Sequence, residues 1–490
     1  MNKIKHYIIF LGILLFCTTS SFAEQIYNAS FFGIKSNGTT LNTNSIQNAI
    51  DYIHKKGGGT LRFYVGRYLT GTIKLKSNVT ILLEEGAVLV GSTNIYDYNI
   101  HEPNPALVYA KDATNIAIKG KGVIDGQGKE VAYYLMDQIN KGILEDPNKY
   151  DRPHQRRPKA IYFRECQDVE IKYINVRDAA DWVQTYDQCE NVLIDSITVQ
   201  STAFWNNDGI DIVDCKNFKL YNSYIDAADD AICLKSHDSK KRNENVEIRN
   251  CVARSSANGI KFGTVSAGGY KNISIINNKV YNTFRSAFTI AVPDGGVAED
   301  IFVDSLYAYN TGNPIYLRTG LRGNRTTKSI LRNVIIQNVF AEITADKPDA
   351  GYVYEGPIED NPRNISPSSI VGLEDMRIEN VTLRNIEISY PGGANPNYAY
   401  RGTKAADLKE IPVMRDSYPE FSQFKELPAW GFFIKNADNI HFENVKLTAR
   451  KSDYRPAIVV DNVTGFESKK VQFVEEKAGK KKQIVKNNVN

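Results

Sequence analysis

Cys166-Gln167-Asp168-Val169-Glu170-Ile171, Cys189-Glu190-Asn191-Val192-Leu193-Ile194 and Cys215-Lys216-Asn217-Phe218-Lys219-Leu220 are three statements of one pattern, Cys-x-(Asn/Asp)-apolar-x-apolar. The pattern recurs without the cysteine at Asn245, Asn272, Asp300, Asn333, Asp375 and Asn439, and earlier at Asn78 and Asn115. From Asp168 to Asp300 the intervals are 23, 26, 28, 27 and 28 residues. A period of that size is a solenoid signature. Alternating Val and Ile make each unit a strand, and Asn or Asp sits where each coil turns. The chain is therefore expected to wind as an all-β, single-stranded right-handed parallel β-helix of roughly ten coils, running from about Asn78 with no second domain.

The matched cysteines then point inward and stack, since free Cys packs as a small apolar residue. A solenoid must close its ends. Ile46, Ala49, Ile50 and Ile53 fall at helical spacing just before Gly57-Gly58-Gly59, with Thr43 or Asn44 as N-cap. This segment is read as an N-terminal capping helix. Past Asp300 the intervals widen to 33, 42 and 64 residues. Insertions are placed near 129–158, 345–370 and 391–430, lengths that are uncommon without a role.

Residues 1–23 read as an export signal: Lys3 and Lys5, an apolar run from Tyr7 to Cys17, then Ser21-Phe22-Ala23. The run is too short to span a bilayer. Cys17 raises lipoprotein anchoring, but Phe16 before it fits a lipobox badly, so cleavage after Ala23 and a periplasmic or extracellular site are expected. One β-helix domain then occupies 24–490. It carries 58 basic and 56 acidic residues, a balance that argues for neither nucleic acid nor an anionic membrane. Lys477, Lys480, Lys481 and Lys482 read as a solvated tail. Five cysteines remain, an odd number that argues against a disulfide framework, and no His/Cys cluster suggests a metal.

The chemistry is carried by Asn206-Asn207-Asp208-Gly209-Ile210-Asp211 and, one coil later, Asp229-Asp230. Asp208 and Asp230 are 22 residues apart, close to one coil, and stacked strands lie roughly 4.8 Å apart. Three carboxylates then share one face. Such crowding raises at least one pKa, and paired carboxyls are what glycosidic hydrolysis requires. Asp211 reads as an ordinary turn residue. Direct stacking would crowd the carboxyls closely, and a bend at Ala228-Asp229-Asp230 would offset Asp229 from Asp208.

At these residues the chain resembles the family 28 glycoside hydrolases, the polygalacturonases and rhamnogalacturonan hydrolases on the pectin-lyase-like solenoid. The likeness runs from Phe32-Gly33-Ile34-Lys35 through Ile124-Asp125-Gly126-Gln127-Gly128 and Arg157-Pro158 to the two Asp motifs and Lys235-Ser236. It implies Asp229 as general acid, with Asp208 and Asp230 holding and deprotonating water. The chain also departs from the pattern. The family's Gly-His-Gly is Ala257-Asn258-Gly259 here, and its Arg-Ile-Lys falls in Ser286-Ala287-Phe288-Thr289-Ile290, although Arg285 lies just before. Replacement substrate contacts are expected from Lys235, Asn258, Lys261 and Arg318, with Arg322 a weaker choice. Trp205 is the favoured stacking platform ahead of Trp182 and Trp430.

The resulting expectation is an exported hydrolase of α-linked galacturonate-type polysaccharide or oligosaccharide, inverting and exo-acting, monomeric, with no cofactor, metal or membrane span. The later insertions are expected to wall off one end of the cleft. A polysaccharide lyase, a uronate epimerase and a non-catalytic carbohydrate-binding β-helix are the alternatives on the same fold.

Overall fold

In the computed structural model, residues 25–145, 156–202, 204, 206–346, 367–394, 396–397, 402–476 and 481–490 are described. The export signal, Trp205, parts of all three insertions, Lys477 and Lys480 lie outside them. The described strands form one continuous parallel stack, the right-handed parallel β-helix the period predicts. A single interior column shows the winding: Ile116, Val169, Val192, Phe218, Val246, Ile273, Ile301, Val334, Val381, Ile440 and Phe466 pair successively in register. All of them are buried. The stack begins earlier than Asn78, because Ile26–Asn28 already pairs with Gly59–Phe63.

The repeated Asn and Asp mark the corner of each coil. Asp168, Asn191, Asn217, Asn245, Asn272, Asp300, Asn333 and Asn439 all adopt φ between 53° and 59°. Asn and Asp tolerate this left-handed region better than other side chains with a Cβ. Each corner amide donates to the coil before it: Asn217 to Asn191 at 3.1 Å, Asn245 to Asn217 at 3.0 Å, Asn272 to Asn245 at 2.7 Å. The ladder restarts at each Asp, because a carboxylate accepts but cannot donate. A second ladder climbs the next corner through Asn222, Asn250 and Asn277. Cys166, Cys189 and Cys215 are buried and free, at the start of the corner strands.

One corner was misplaced by the pattern. Asp375-Met376-Arg377-Ile378 matches it, but so does Asn380-Val381-Thr382-Leu383. The structure uses Asn380, with φ 56°, Val381 paired to Val334 and its amide donating to Asn333 at 3.0 Å. Asp375 lies in the preceding loop and forms a bidentate pair with Arg415.

The capping helix spans Thr43–Lys55 and buries Ile46, Ala49, Ile50 and Ile53 over the open end of the core. Its N-cap is Asn42, one residue earlier than expected, and no side chain caps it. The Thr43 hydroxyl instead accepts from Gly71 N at 2.8 Å, and Asn42 accepts from Lys35 N at 2.8 Å. Both side chains tie the cap to the solenoid. The solvated-tail reading holds for the exposed Lys482 but fails at Lys481. Lys481 pairs with Glu475 at 2.7 Å, and Ile484–Val489 adds a last strand on Ile458–Glu475.

The insertions carry structure of their own. The first opens with the helix Gly128–Asn140, which buries Val131, Ala132 and Leu135. The last contributes Ala405–Lys409 and the 3-10 turn Phe421–Phe424. Its Leu408, Ile411, Phe421, Phe424 and Leu427 pack on the outward-facing Tyr316, Val371, Phe433 and Val459, forming a second apolar cluster outside the coils.

The corner assignment predicts that Asn380→Ala, which puts an unsuited residue into the left-handed region and breaks the ladder, destabilises the protein by about 1–3 kcal/mol. Asp375→Ala removes a surface ion pair worth under about 1 kcal/mol. Calorimetric melting of the two variants, with Asp375→Ala the more damaging, would show that the corner is misassigned.

Candidate active site

The strands Ile210–Val213, Ile232–Ser236 and Ile260–Ser266 stack in parallel, with Ile210 opposite Ile232 and Ile232 opposite Ile260. Their outward residues form a floor that runs Thr185, Asp211, Cys233, Lys261, Thr289, Tyr316, Ser369, Phe433 and Val459 in register. The floor is polar at one end and apolar at the other. The apolar end is the part covered by the last insertion.

The catalytic candidates sit in the turns that lead into these strands. The amide of Asn207 clamps the first turn, donating to the carbonyls of Ala179 and Asp181 at 2.9 Å and accepting from the Ser201 hydroxyl at 2.8 Å. Gly209 is required by close stacking, since a Cβ there would meet Ile225 Cγ2 at 2.3 Å and Ala231 O at 2.5 Å. Arg157 reinforces the turn by donating to Ala180 O at 2.6 Å and Asn206 Oδ1 at 2.9 Å, and its guanidinium lies over the Phe204 ring. In the next turn, Gly209 N donates to Asp230 O at 2.9 Å and Asp229 N to Asn207 O at 3.3 Å. Asp230 therefore stacks on Asp208, while Asp229 is set back over Asn207. The backbone bends at Ala228 and Asp229.

Asp208, Asp211 and Asp230 are buried; Asp229 is half-buried. Lys235 Nζ lies 2.7 Å from both Asp208 Oδ2 and Asp211 Oδ1. Asp211 is thus no turn residue. It belongs to a strand, is fully buried, and serves as a counter-ion for Lys235. Lys261 Nζ lies 3.1 Å from Asp230 Oδ2, and Asn258 donates to Asp230 Oδ1 from its side chain at 2.8 Å and its backbone at 3.2 Å.

Burial sets the proton affinities. It pushes Asp229 up to about 7, helped by the charges of Asp208 and Asp230. It pushes Asp208 up to about 8 against the opposing Lys235 charge, and Asp211 up to about 6. Burial also acts on Asp230, but Lys261, Lys235 and the Asn258 amide outweigh it and hold this carboxyl below the usual range. Lys235 and Lys261 stay charged: burial opposes the charge, and the surrounding acids more than restore it. The cluster thus keeps protonated and ionised carboxyls side by side near neutral pH.

Among the described residues, Asp208, Asp230 and Cys233 bring potential ligand atoms within 4.8 Å of one another. Lys235 already donates to Asp208, and to Cys233 Sγ at 3.0 Å, while Lys261 engages Asp230. This donor set is compensated by ammonium groups and is poorly suited to a divalent ion.

Of the expected substrate contacts, Lys235, Asn258 and Lys261 are brought to the carboxylates, but each is buried and bonded to an acid. Arg318 is not. It is 2% exposed, donates to the carbonyls of Met414 and Val413 and lies over the Phe424 ring, so it fastens the last insertion. Arg322 pairs with Asp294 at 2.7 Å. Trp430 is core, packed on Tyr390. Trp182 is half-buried with the ammonium groups of Lys159 and Lys235 4.8 and 4.4 Å from its ring centroid. It borders a cavity of about 300 Å³ shared with Lys159, Asp181, His237 and the 103–105 segment. A larger hollow of about 910 Å³ overlies the corner ladder at Asn78, Asn115 and Asn191 and lacks the acid cluster.

Sequence reasoning missed Glu420. This residue arrives from the last insertion, is fully buried, and places Oε1 3.1 Å from Lys261 Nζ and 3.3 Å from Arg285 Nη1. No period announces it. The only trace is Tyr418-Pro419-Glu420 inside a long insertion.

The profile of glycosyl hydrolases family 28 matches residues 59–354, a span that includes every Asp of the site. Over 440 residues the chain is 26% identical to the exo-poly-alpha-D-galacturonosidase of Dickeya chrysanthemi, covering 75% of this chain and 72% of that one. Two solved structures share the fold. The family 28 exopolygalacturonase of Yersinia enterocolitica has a TM-score of 0.62 at 21% identity, over 95% of this chain and 78% of that one. The exopolygalacturonase of Thermotoga maritima has a TM-score of 0.59 at 23% identity, over 75% and 87%. With a parallel β-helix presenting stacked acids and a profile match over more than half its length, this chain belongs to glycosyl hydrolases family 28 and is a glycoside hydrolase.

Proposed function

We propose that the protein is an exported, exo-acting hydrolase of pectin-type polysaccharide or oligosaccharide that inverts configuration at the cleaved bond. One observation carries the reading: the Asp229-Asp230 turn stacks on the Asn207-Asp208 turn, which gathers Asp208, Asp229 and Asp230 in one place. Asp229 is the general acid. It is the half-buried member of the set, makes no ion pair among the described residues, and has a proton affinity suited to donation near neutral pH. Asp230 is the carboxylate held ionised, and with Asp208 within 4.8 Å it forms a seat for the attacking water. Lys235, Lys261, Asn258 and Asp211 position these carboxylates and balance their charge.

Two features support exo-action. The helix Gly128–Asn140 approaches the first turn, with the Tyr133 and Phe204 rings 5.7 Å apart. On the other side Tyr418 and Glu420 reach Lys261. The acids thus lie between two insertions, a setting that admits a chain end more readily than a continuous polymer. The exo-acting relative from Dickeya chrysanthemi is consistent with this.

Replacing Asp229 by Asn is expected to lower turnover by at least about 10³ while substrate still binds; near wild-type turnover rules out the acid assignment. Chromatographic time courses on pectic oligosaccharides should release one small product from the outset. A ladder of intermediates would exclude the exo reading, and retention of anomeric configuration by NMR would exclude inversion.

The raised carboxyls also set a pH dependence of stability. Asp208 and Asp229 hold protons in the folded state that an unfolded carboxyl, with a pKa near 3.9, has already lost. Stability from this source is present below that value and falls as pH rises through about 7 and about 8. The wild-type melting temperature should therefore drop between about pH 5 and about pH 8, and Asp229→Asn should flatten part of the drop. An equal drop in the variant would place the titrating group elsewhere.

A further inference from the structure

The flank of the site facing the last insertion has a charge balance that bears on which sugar it accepts. Among the described residues its two cations are Lys261, whose side chain is 1% exposed, and Arg285, at 19%. Both lie near enough to Asp229 to pull its proton affinity down. Either would suit a sugar carboxylate. Glu420 already accepts from both, and Asn258 Nδ2 lies 3.4 Å from the same oxygen. Counting Asp230, which Lys261 also contacts, these two cations face two anions among the described residues.

Glu420 is also costly for a mere fastening. Its second oxygen, Oε2, is buried with no hydrogen-bond partner among the described residues, and such groups are uncommon in folded proteins. The insertion has other anchors in Phe421, Phe424 and Leu427, and in the carbonyls that hold Arg318. A buried charge aimed at both of these cations does something those contacts do not. It cancels the attraction they would exert on an anionic ring.

We propose that Glu420 is a specificity-determining residue that closes this flank to uronates, so that the ring seated beside Lys261 and Arg285 is an uncharged sugar recognised through its hydroxyls. The inference rests on the glycan-hydrolase reading above. It adds that one side of the cleaved bond is neutral even if the rest of the substrate is acidic.

The test is equilibrium binding of galacturonate and of galactose, by calorimetry at low salt, to the full chain and to Glu420→Gln, which keeps the shape and an acceptor for both cations. The wild type should bind galactose at least as tightly as galacturonate. Glu420→Gln should tighten galacturonate by about tenfold or more and leave galactose within about threefold, with the gain shrinking as salt is added. Equal shifts for both sugars, no galacturonate binding by Glu420→Gln, or a wild-type preference for galacturonate would each overturn the proposal. Should Glu420→Gln not fold, Arg285→Gln in the wild-type background serves instead. It should change galacturonate affinity by under about threefold, and a tenfold loss would show that Arg285 holds a uronate after all. Binding needs no turnover, so failure here is distinct from failure of the hydrolase reading, which would appear as no cleavage of any pectic glycan.

Discussion

The left-handed corner is the constraint on which the rest of this molecule depends. A chain that winds in short parallel strands must turn sharply at every corner, and the turn takes a positive φ. Asn meets that requirement and adds an amide that both donates and accepts, so each corner bonds to the next. The ladder Asn191–Asn217–Asn245–Asn272 holds successive coils in one register. Register turns distance along the chain into proximity. Asp208 and Asp230 become stacked neighbours only because the corners between them keep Ile210 opposite Ile232.

The same stacking imposes an electrostatic problem. Residues equivalent in successive coils share a column, so an acid motif in each of two adjacent coils collects several carboxyls in one small volume. The protein does not relieve this with solvent, since Asp208, Asp211 and Asp230 are buried. It relieves it with two buried ammonium groups, Lys235 and Lys261, each bridging two acids. Ionising every carboxyl would exceed that compensation, and a proton is retained. Taking charges out of water is expensive, so such a cluster is better understood as serving chemistry than stability.

The floor of the site also explains why the insertions are where they are. Along one outward column the residues change from Asp211 and Lys261 to Tyr316, Phe433 and Val459. An apolar outward stripe on a solenoid must be covered, and the last insertion covers it with Leu408, Phe421, Phe424 and Leu427. That packing delivers Tyr418 and Glu420 to the edge of the polar section. The loop that completes the site is held by hydrophobic contact with coils well downstream of the chemistry, and Arg318 acts there as a fastener.

The repeat, the solenoid, the capping helix and the pairing of Asp208 with Asp229 and Asp230 were all legible in the sequence, because each is a periodic or local property. The pattern Asn-apolar-x-apolar marks most of the corners, from Asn115 to Asn439. At Asp375 and Asn380 the two matches compete for one corner, and only the pairing of Val381 with Val334 decides between them. The N-cap and Lys481 depart from expectation for a related reason: Thr43, Asn42 and Lys481 are committed to partners in other coils. Asp211 looks like a turn residue beside Asp208, and its burial against Lys235 depends on the alternation of one strand over another. Glu420 lies 159 residues from Lys261 in a segment with no period, and nothing local links the two. The sequence by itself determined what repeats. The tertiary structure decided what meets across the coils, because charge compensation and loop packing act through space and leave no spacing to read.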